Sequence, residues 1–177
     1  MTKQIHILAI SGSIRNNSSN TKLAQAIAKL MPGEISYSIY PEIDKIPLFD
    51  ESDDVPEPVT KFRNAVESAD AVLFCSPEYA FGVSGVLKNV IDWTVSSGEF
   101  YDKPVAIITA AINGEKAHEA LLNIMDALGA KVIERATLII PFIRTKLNLE
   151  AEITDNKTLE EVKSVIKSLS NEIQLNN

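Results

Sequence analysis

The segment SGSIRNNSSN, residues 11–20, combines short hydrogen-bonding side chains with the fixed positive charge of Arg15. A helical apolar periodicity begins just after it, so the unpaired N–H groups of that helix face back into the segment. Donors, a guanidinium and a helix N-terminus together favour phosphate binding. The alternative is that Ser18, Ser19 or Asn20 only caps the helix. The short polar residues concerned are Ser11, Ser13, Ser18, Ser19 and Asn20.

The same segment lacks the signatures of several known phosphate sites. The chain contains no GxxxxGK[ST], which excludes a P-loop nucleoside triphosphatase, and no GxGxxG, which argues against a dinucleotide held in the Rossmann manner. A receiver domain would need acidic residues after its first strand to bind magnesium, whereas the sequence here is SGSIR. These exclusions leave a phosphate monoester as the predicted ligand group.

A second segment, SPEYAFGVSGVLKNVIDW at residues 76–93, has the features of a platform for a flat, largely apolar ring. It has a proline that stiffens a turn, two aromatic side chains that offer surface, and two glycines that let the backbone approach a ligand. The alternative is that the aromatic side chains belong to the core or to an interface at the end of a strand. The residues that carry these features are Pro77, Tyr79, Phe81, Gly82 and Gly85.

Short apolar runs and helical stripes alternate along the chain and would position both segments. The runs that predict strands are residues 5–10, 35–40, 71–75, 105–109 and 136–140. The alternation predicts an α/β fold, a three-layer sandwich in which helices cover both faces of a parallel sheet. In such sheets ligands bind beyond the carboxyl ends of the strands. The loops 11–20, 76–84 and 110–116 are therefore predicted to form the site, the third through Ala110 and Gly114.

Size and charge narrow the possible functions. With 177 residues, of which 45% are hydrophobic and 23% charged, residues 1–177 are expected to form a single domain. The net charge of -7 is spread along the chain, which argues against nucleic-acid and membrane-surface partners but allows a small anion in a local pocket. No apolar run approaches the roughly 18 residues needed to span a bilayer. The expected location is the cytoplasm.

Other reactive side chains indicate no further catalytic centre. Cys75, the only cysteine, falls in a predicted buried strand, which favours a packed thiol over a reactive one. His6 and His118 have no cysteine or histidine partner nearby, so no metal site is predicted. Glu78 is open to two interpretations, a role in the binding loop or a structural ion pair. No catalytic side chain and no metal ligand are predicted.

Both segments resemble the NAD(P)H-dependent FMN reductases, a flavodoxin-like family that includes quinone, azo-dye and chromate reductases. GSIRNNSSN is similar to the family pattern GSxRxxSxN, and PEYAFGVSGVLKNVIDW to PEYNxxxPGxLKNxIDW. Ala80 stands where many members have asparagine. Ser84 stands where many have proline, and we expect Ser84 to cap the following helix.

The resemblance implies a five-stranded sheet in the order 2-1-3-4-5, with FMN as cofactor. Ser13 to Asn20 would hold the FMN phosphate, and Pro77 to Ala80 would lie under the isoalloxazine ring. NADPH or NADH would supply a hydride for free flavin, a quinone, an azo compound or a metal oxyanion. Family members form dimers or tetramers, so a homodimer or homotetramer is expected. The predicted cofactor-binding residues are Ser11, Ser13, Ile14, Arg15, Ser18, Ser19, Asn20, Pro77, Glu78, Tyr79, Ala80, Phe81, Gly82, Ala110 and Gly114.

Two other functions remain open for a flavin-binding chain of this kind. A flavodoxin-type electron carrier would receive electrons from a protein partner, which an acidic surface would suit. A non-catalytic regulator would keep the fold and bind flavin without turnover. Arg15 and the PEY motif favour the reductase.

Overall fold

The structure is a computed structural model that describes residues 4–15, 17–51 and 54–175. Its strands are β1 (His6–Ser11), β2 (Ser36–Ile39), β3 (Ala71–Ser76), β4 (Glu78–Tyr79), β5 (Gly82–Val83), β6 (Pro104–Ala111) and β7 (Lys131–Pro141). Its α-helices are α1 (Ser19–Leu30), α2 (Glu57–Ser68), α3 (Gly85–Asp92), α4 (Glu115–Ala127) and α5 (Asn156–Leu175). Short 3-10 turns lie at Ile43–Lys45 and Ile143–Thr145. Each predicted strand corresponds to one strand of the structure.

The main sheet has five parallel strands in the order β2-β1-β3-β6-β7. Counted without the short hairpin, this is the order 2-1-3-4-5, so the predicted topology is confirmed. Strands β4 and β5 pair antiparallel as a separate hairpin between β3 and α3. The sequence predicted only a loop there, because two residues per strand are too few to produce an alternating pattern.

Helices cover the sheet on both faces, as predicted. Side chains alternate along a strand, so neighbouring residues of β3 face opposite layers. Leu73 packs with Ile27 in the core beneath α1 and α5, whereas Phe74 packs with Phe62 and Leu121 beneath the other helices. Burial on both faces explains the unbroken apolar sequence of β3. Within the described residues, no helix has both the length and the apolar character needed to cross a membrane.

The carboxyl ends of β1, β3, β6 and β7 meet at one edge of the sheet, because these neighbouring strands are parallel. The connections that leave this edge are residues 12–18, 77–84, 112–114 and 142–155. The first three fall in the loops that the sequence analysis predicted for the site. The fourth, which follows the edge strand β7, was not predicted.

Candidate active site

The start of α1 is fixed by hydroxyl groups of the segment 11–20. Ser18 is the N-cap residue, and its Oγ accepts a hydrogen bond from the Asn20 N–H at 3.2 Å. The Ser11 and Thr21 hydroxyls share a hydrogen bond of 2.9 Å, which fastens the end of β1 to the helix. Ser18 therefore caps the helix, and the cap leaves the other N–H groups of this first turn available.

The turn that precedes α1 is held less tightly. The Ser13 hydroxyl is buried and accepts the Arg15 N–H at 3.4 Å, a long contact. The side chains of Ile14 and Arg15 are exposed. Asn16 lies outside the described residues. The guanidinium of Arg15 is thus presented to solvent beside the N-terminus of α1.

Asn20 links the N-terminus of α1 to the end of β6. Its Nδ2 donates to the Ala110 carbonyl at 3.0 Å, and the side chain is only 3% exposed. Its Oδ1 has no hydrogen-bond partner among the described residues. A buried acceptor left unpaired costs about 1–3 kcal/mol, so a polar ligand that donates to Oδ1 would remove this cost.

Gly12 joins the first two site loops. Its N–H donates to the Cys75 carbonyl at 2.9 Å, and its own carbonyl accepts the Ser84 hydroxyl at 2.7 Å. Ser84 is the N-cap residue of α3, as expected, but its side chain makes no capping hydrogen bond, because its hydroxyl bonds to the neighbouring loop instead. A Cβ atom at Gly12 would lie 2.9 Å from Pro77 Cδ, too close to be tolerated without movement. Hydrogen bonds and close packing at Gly12 therefore fix the two loops relative to each other.

The hairpin β4–β5 presents two aromatic side chains to solvent. Tyr79 is 52% exposed and Phe81 is 75% exposed, so neither belongs to the core of the chain. The turn between the strands consists of Ala80 and Phe81, which have φ values of 48° and 59°. Gly82 follows them in β5. The hairpin therefore projects from the carboxyl edge and carries an exposed aromatic surface.

Glu78 anchors this hairpin to α4. Its Oε2 accepts the N–H of Ala117, in the first turn of that helix, at 2.9 Å. A carboxylate at a helix N-terminus is stabilised by the helix dipole and by the unpaired N–H groups. The contact is a helix cap supplied by another element of the chain and not the structural ion pair that the sequence left open.

In the structure, the loop after β6 ends at Gly114, which is the N-cap residue of α4. Gly114 has φ of 100°, and a Cβ atom there would lie 3.2 Å from side-chain atoms of Thr109 and Ile139. Only glycine combines this conformation with such close packing. Beneath it, Thr109 Oγ1 and His118 Nδ1 share a hydrogen bond of 2.9 Å. Burial lowers the pKa of His118 from its ordinary value of 6.5, because desolvation disfavours the charged ring.

A cleft of about 410 Å³ opens where these loops meet, between the N-terminus of α1, the strand β4 and the loop after β7. Sites for small molecules have volumes of about 300–1,000 Å³. The predicted residues that line the cleft are Arg15, Ser18, Ser19, Asn20, Pro77, Glu78, Tyr79 and Ala110. The predicted residues outside its lining are Ser11, Ser13, Ile14, Ala80, Phe81, Gly82 and Gly114.

Sequence reasoning missed the other wall of the cleft. The additional lining residues are Ala111, Ile112, Phe142, Ile143, Arg144 and Thr145. The first two lie within the predicted loop 110–116, although neither was named as a binding residue. The other four follow β7, where no motif marks them, and the signal that identifies them is topological: β7 ends at the same sheet edge as the predicted loops.

Among the described residues, the lining of this cleft includes neither a cysteine nor a histidine. Cys75 is fully buried in β3, which confirms the packed-thiol interpretation. Burial raises the pKa of its thiol well above the ordinary value, so the nucleophilic thiolate is suppressed. Within the described part of the chain, no group of three or more histidine, cysteine or acidic residues is arranged to hold a metal ion.

Comparison with known proteins identifies the family. The sequence profile of the family described as NADPH-dependent FMN reductase matches residues 5–145. The chain belongs to this family. An NAD(P)H-dependent FMN reductase of Pseudomonas aeruginosa is 31% identical over 96% of this chain and 95% of its own length. An NADPH:quinone oxidoreductase of Arabidopsis thaliana is 33% identical over 93% of this chain and 90% of its own length.

A solved structure of a flavoenzyme agrees with the fold. The flavoenzyme NAD(P)H:(acceptor) oxidoreductase FerB from Paracoccus denitrificans has a TM-score of 0.86 at 25% identity, and the match covers 96% of this chain and 97% of that chain. The fold is flavodoxin-like, as the resemblance implied. The protein is an NAD(P)H-dependent flavin oxidoreductase that uses FMN.

The structure explains the second motif of this FMN reductase through contacts within the chain. The Asn89 side chain accepts the Phe49 N–H and donates to the Pro47 carbonyl, both at 2.9 Å. The Trp93 Nε1–H donates to the same carbonyl at 2.9 Å, and its ring packs edge-on against Phe49. The motif thus holds residues 47–49 against α3.

Proposed function

We propose that this FMN reductase binds FMN in the cleft at the carboxyl edge of the sheet and reduces quinones with electrons from NAD(P)H, with residues 1–177 acting as one FMN-binding domain. One observation carries the proposal: a single cleft joins phosphate-type donors at the N-terminus of α1 to the exposed aromatic face of Tyr79. A monophosphate and a flat ring are the two ends of FMN, so both ends find suitable partners in the same cleft.

The chain's own residues would hold the cofactor by its two ends. The Arg15 guanidinium and the N–H groups of the first turn of α1 would bind the phosphate. The unpaired Asn20 Oδ1 would accept a hydrogen bond from a hydroxyl group of the ribityl chain. The backbone from Pro77 to Ala80 would support the ring. Bound FMN supplies the redox chemistry, which is to take a hydride from NAD(P)H and deliver it to an acceptor. The protein keeps one side of the cleft open so that donor and acceptor can reach the ring.

The rim of the cleft favours a flat, apolar acceptor. Tyr79, Ile112 and Phe142 line the cleft and are exposed, and Phe81 is exposed on the adjoining hairpin turn. A quinone can stack against such side chains, whereas a metal oxyanion gains nothing from them. The Arabidopsis thaliana relative named NADPH:quinone oxidoreductase supports the same choice. Azo compounds and free flavin are also flat and are the competing acceptors.

Anaerobic mixing tests the proposal. Protein loaded with FMN is mixed with NADPH or NADH while the visible absorbance of the flavin is followed, and a benzoquinone, an azo dye, free FMN or chromate is then added. We expect bleaching much faster than that of free FMN, and the fastest return of colour with the quinone. A flavin that stays yellow with both nucleotides would favour an electron carrier or a regulator. A faster return with the azo dye or free FMN would contradict the choice of acceptor.

We also propose that the protein assembles as a homodimer or homotetramer and works in the cytoplasm. Leu48, Val95 and Tyr101 are large apolar side chains that lie exposed away from the cleft, and assembly would cover such surface. NAD(P)H is a cytoplasmic reductant, which supports the location. Light scattering on the purified protein checks the assembly, and a single species of 19.4 kDa would contradict it.

A further inference from the structure

Two arginines from opposite ends of the fold line the same cleft. Arg15 belongs to the loop between β1 and α1, and Arg144 belongs to the 3-10 turn after β7. Within residues 4–15, 17–51 and 54–175, neither guanidinium forms a hydrogen bond or an ion pair with another side chain or with the backbone. The chain has 24 acidic residues against 17 lysines and arginines, so these two guanidiniums give the cleft a charge opposite in sign to the net charge of the chain. Both are available to a ligand.

The turn that carries Arg144 is firmly anchored. The neighbouring Ile143 is 3% exposed and packs into the core beneath α1 and α5. The Thr145 hydroxyl donates to a carbonyl of the same turn at 3.0 Å. Farther along the loop, Lys29 Nζ of α1 donates to the Glu150 carbonyl at 2.6 Å. Because its base is fixed, Arg144 needs to lose less conformational entropy on binding than an arginine in a loose loop.

The charges of the cleft suit a ligand group with close to two negative charges. Glu78 is the only carboxylate among the described lining residues, and its Oε2 is already occupied by the Ala117 N–H. The first turn of α1 contains no acidic residue, so the helix contributes about half a positive charge there. A phosphate monoester carries about 1.5 to 2 negative charges at pH 7. Arg15 and the helix terminus together supply about 1.5 positive charges, which leaves up to about half a negative charge uncompensated.

We infer that Arg144 is a second guanidinium for the FMN phosphate, acting with Arg15 from the other wall of the cleft; this inference rests on the proposed binding of FMN. Arginine is suited to the role because its planar group can donate two parallel hydrogen bonds to phosphate oxygens. The phosphate would then be held by the β1–α1 loop and by the β7–α5 loop, which are far apart in sequence. Arg144 is thus a cofactor-specificity residue that distinguishes FMN from riboflavin.

Binding of two flavins separates a phosphate contact from a general effect on the site. The protein without flavin is titrated with FMN and with riboflavin, and quenching of flavin fluorescence gives each Kd. In Arg144→Ala we expect the Kd for FMN to rise about tenfold to a hundredfold and the Kd for riboflavin to change less than about twofold. Arg144→Lys keeps the charge without the planar fork, so we expect an intermediate loss. Arg15→Ala serves as the comparison for the first phosphate loop.

Lys146→Ala is the matched control, because it removes one positive charge two residues away at a position outside the cleft lining. We expect it to leave both Kd values unchanged. Equal losses of FMN and riboflavin in Arg144→Ala, or no loss of either, would overturn the inference. A further result would also overturn it: an unchanged Kd for FMN together with a KM for NADPH that rises more than the KM for NADH. That result would assign Arg144 to the 2′-phosphate of NADPH. If the wild-type protein binds no FMN, the proposed function fails; if it binds and is reduced while Arg144→Ala behaves identically, only this inference fails.

Discussion

Among single residues, Ala80 and Phe81 show how a functional surface depends on backbone conformation. Two successive residues with positive φ between paired strands form the turn type that normally takes asparagine or glycine. A residue with a Cβ atom in this conformation costs about 1–2 kcal/mol. Ala80 stands where many members of the family have asparagine, and the structure places it in a left-handed conformation that strains the turn displaying Phe81.

Replacing Ala80 tests this explanation. In Ala80→Asn the side chain tolerates the left-handed conformation, so we expect the free energy of unfolding to rise by about 0.5–1 kcal/mol. In Ala80→Val the β-branched side chain opposes it, so we expect the free energy of unfolding to fall by about 1–2 kcal/mol. Urea denaturation of the three proteins without flavin measures both changes. Shifts of the same sign in the two variants would show that turn conformation does not control stability at this position.

Among the secondary structure elements, α3 holds in place the loop that precedes α2. One amide side chain, Asn89, makes a donor and an acceptor bond to residues 47–49, and Trp93 bonds to the same stretch. The neighbouring Lys88 only pairs with Asp92 on the exposed surface of the helix, at 2.6 Å. Lys88 and Asn89, which are adjacent in one motif, therefore differ greatly in how much they stabilise the structure.

Removal of the Asn89 side chain should free this loop. We expect Asn89→Ala to lower the free energy of unfolding by about 1–2 kcal/mol, because the Phe49 N–H loses its partner and the Pro47 carbonyl loses one of its two donors. Hydrogen exchange at the Phe49 amide should accelerate more than exchange at amides of β3. Lys88→Ala is the adjacent control, and loss of its exposed ion pair should cost less than about 0.5 kcal/mol. Equal effects of the two substitutions would contradict the conclusion that Asn89 holds residues 47–49 against α3.

The elements that sequence reasoning predicted well are those with a strong local pattern. The unbroken apolar run of β3 and the regular stripe of α4 need no tertiary information to be recognised. The start of β7 at Lys131 was missed, because its first part is largely exposed and its pairing with β6 shifts register between Val105 and Ile107. Arg144 was missed for a different reason. A lone arginine in an irregular loop has no local signal, and only the strand order brings it to the cleft.

For the molecule as a whole, the cleft differs in charge from the rest of the surface. A net charge of -7 surrounds a site where two arginines and a helix N-terminus converge. The general field repels anions at long range but is screened beyond about 8–10 Å at physiological salt. Both guanidiniums are exposed, so salt also screens their attraction for a phosphate. We therefore expect added salt to weaken FMN binding more than riboflavin binding, which titration with each flavin at low and high salt measures.

The pH dependence of global stability depends in part on His118. Its ring is buried against Thr109 with a pKa held below its ordinary value of 6.5, whereas in the unfolded chain it titrates normally. As pH falls through and below 6.5, the unfolded state binds a proton that the folded state does not, so stability decreases. Above that value the ring is neutral in both states, and its contribution to stability does not change with pH.

Acidic groups also titrate as pH falls, so the difference between two proteins is the informative quantity. His118→Asn keeps a polar atom near the position of Nδ1 and cannot titrate. We expect the free energy of unfolding of the wild type to fall more steeply than that of His118→Asn between about pH 7 and pH 5, so that the two curves converge on acidification. Urea denaturation at several pH values measures both curves. Parallel curves would mean that His118 takes up its proton equally in the folded and unfolded chains, and that its contact with Thr109 does not hold the ring neutral.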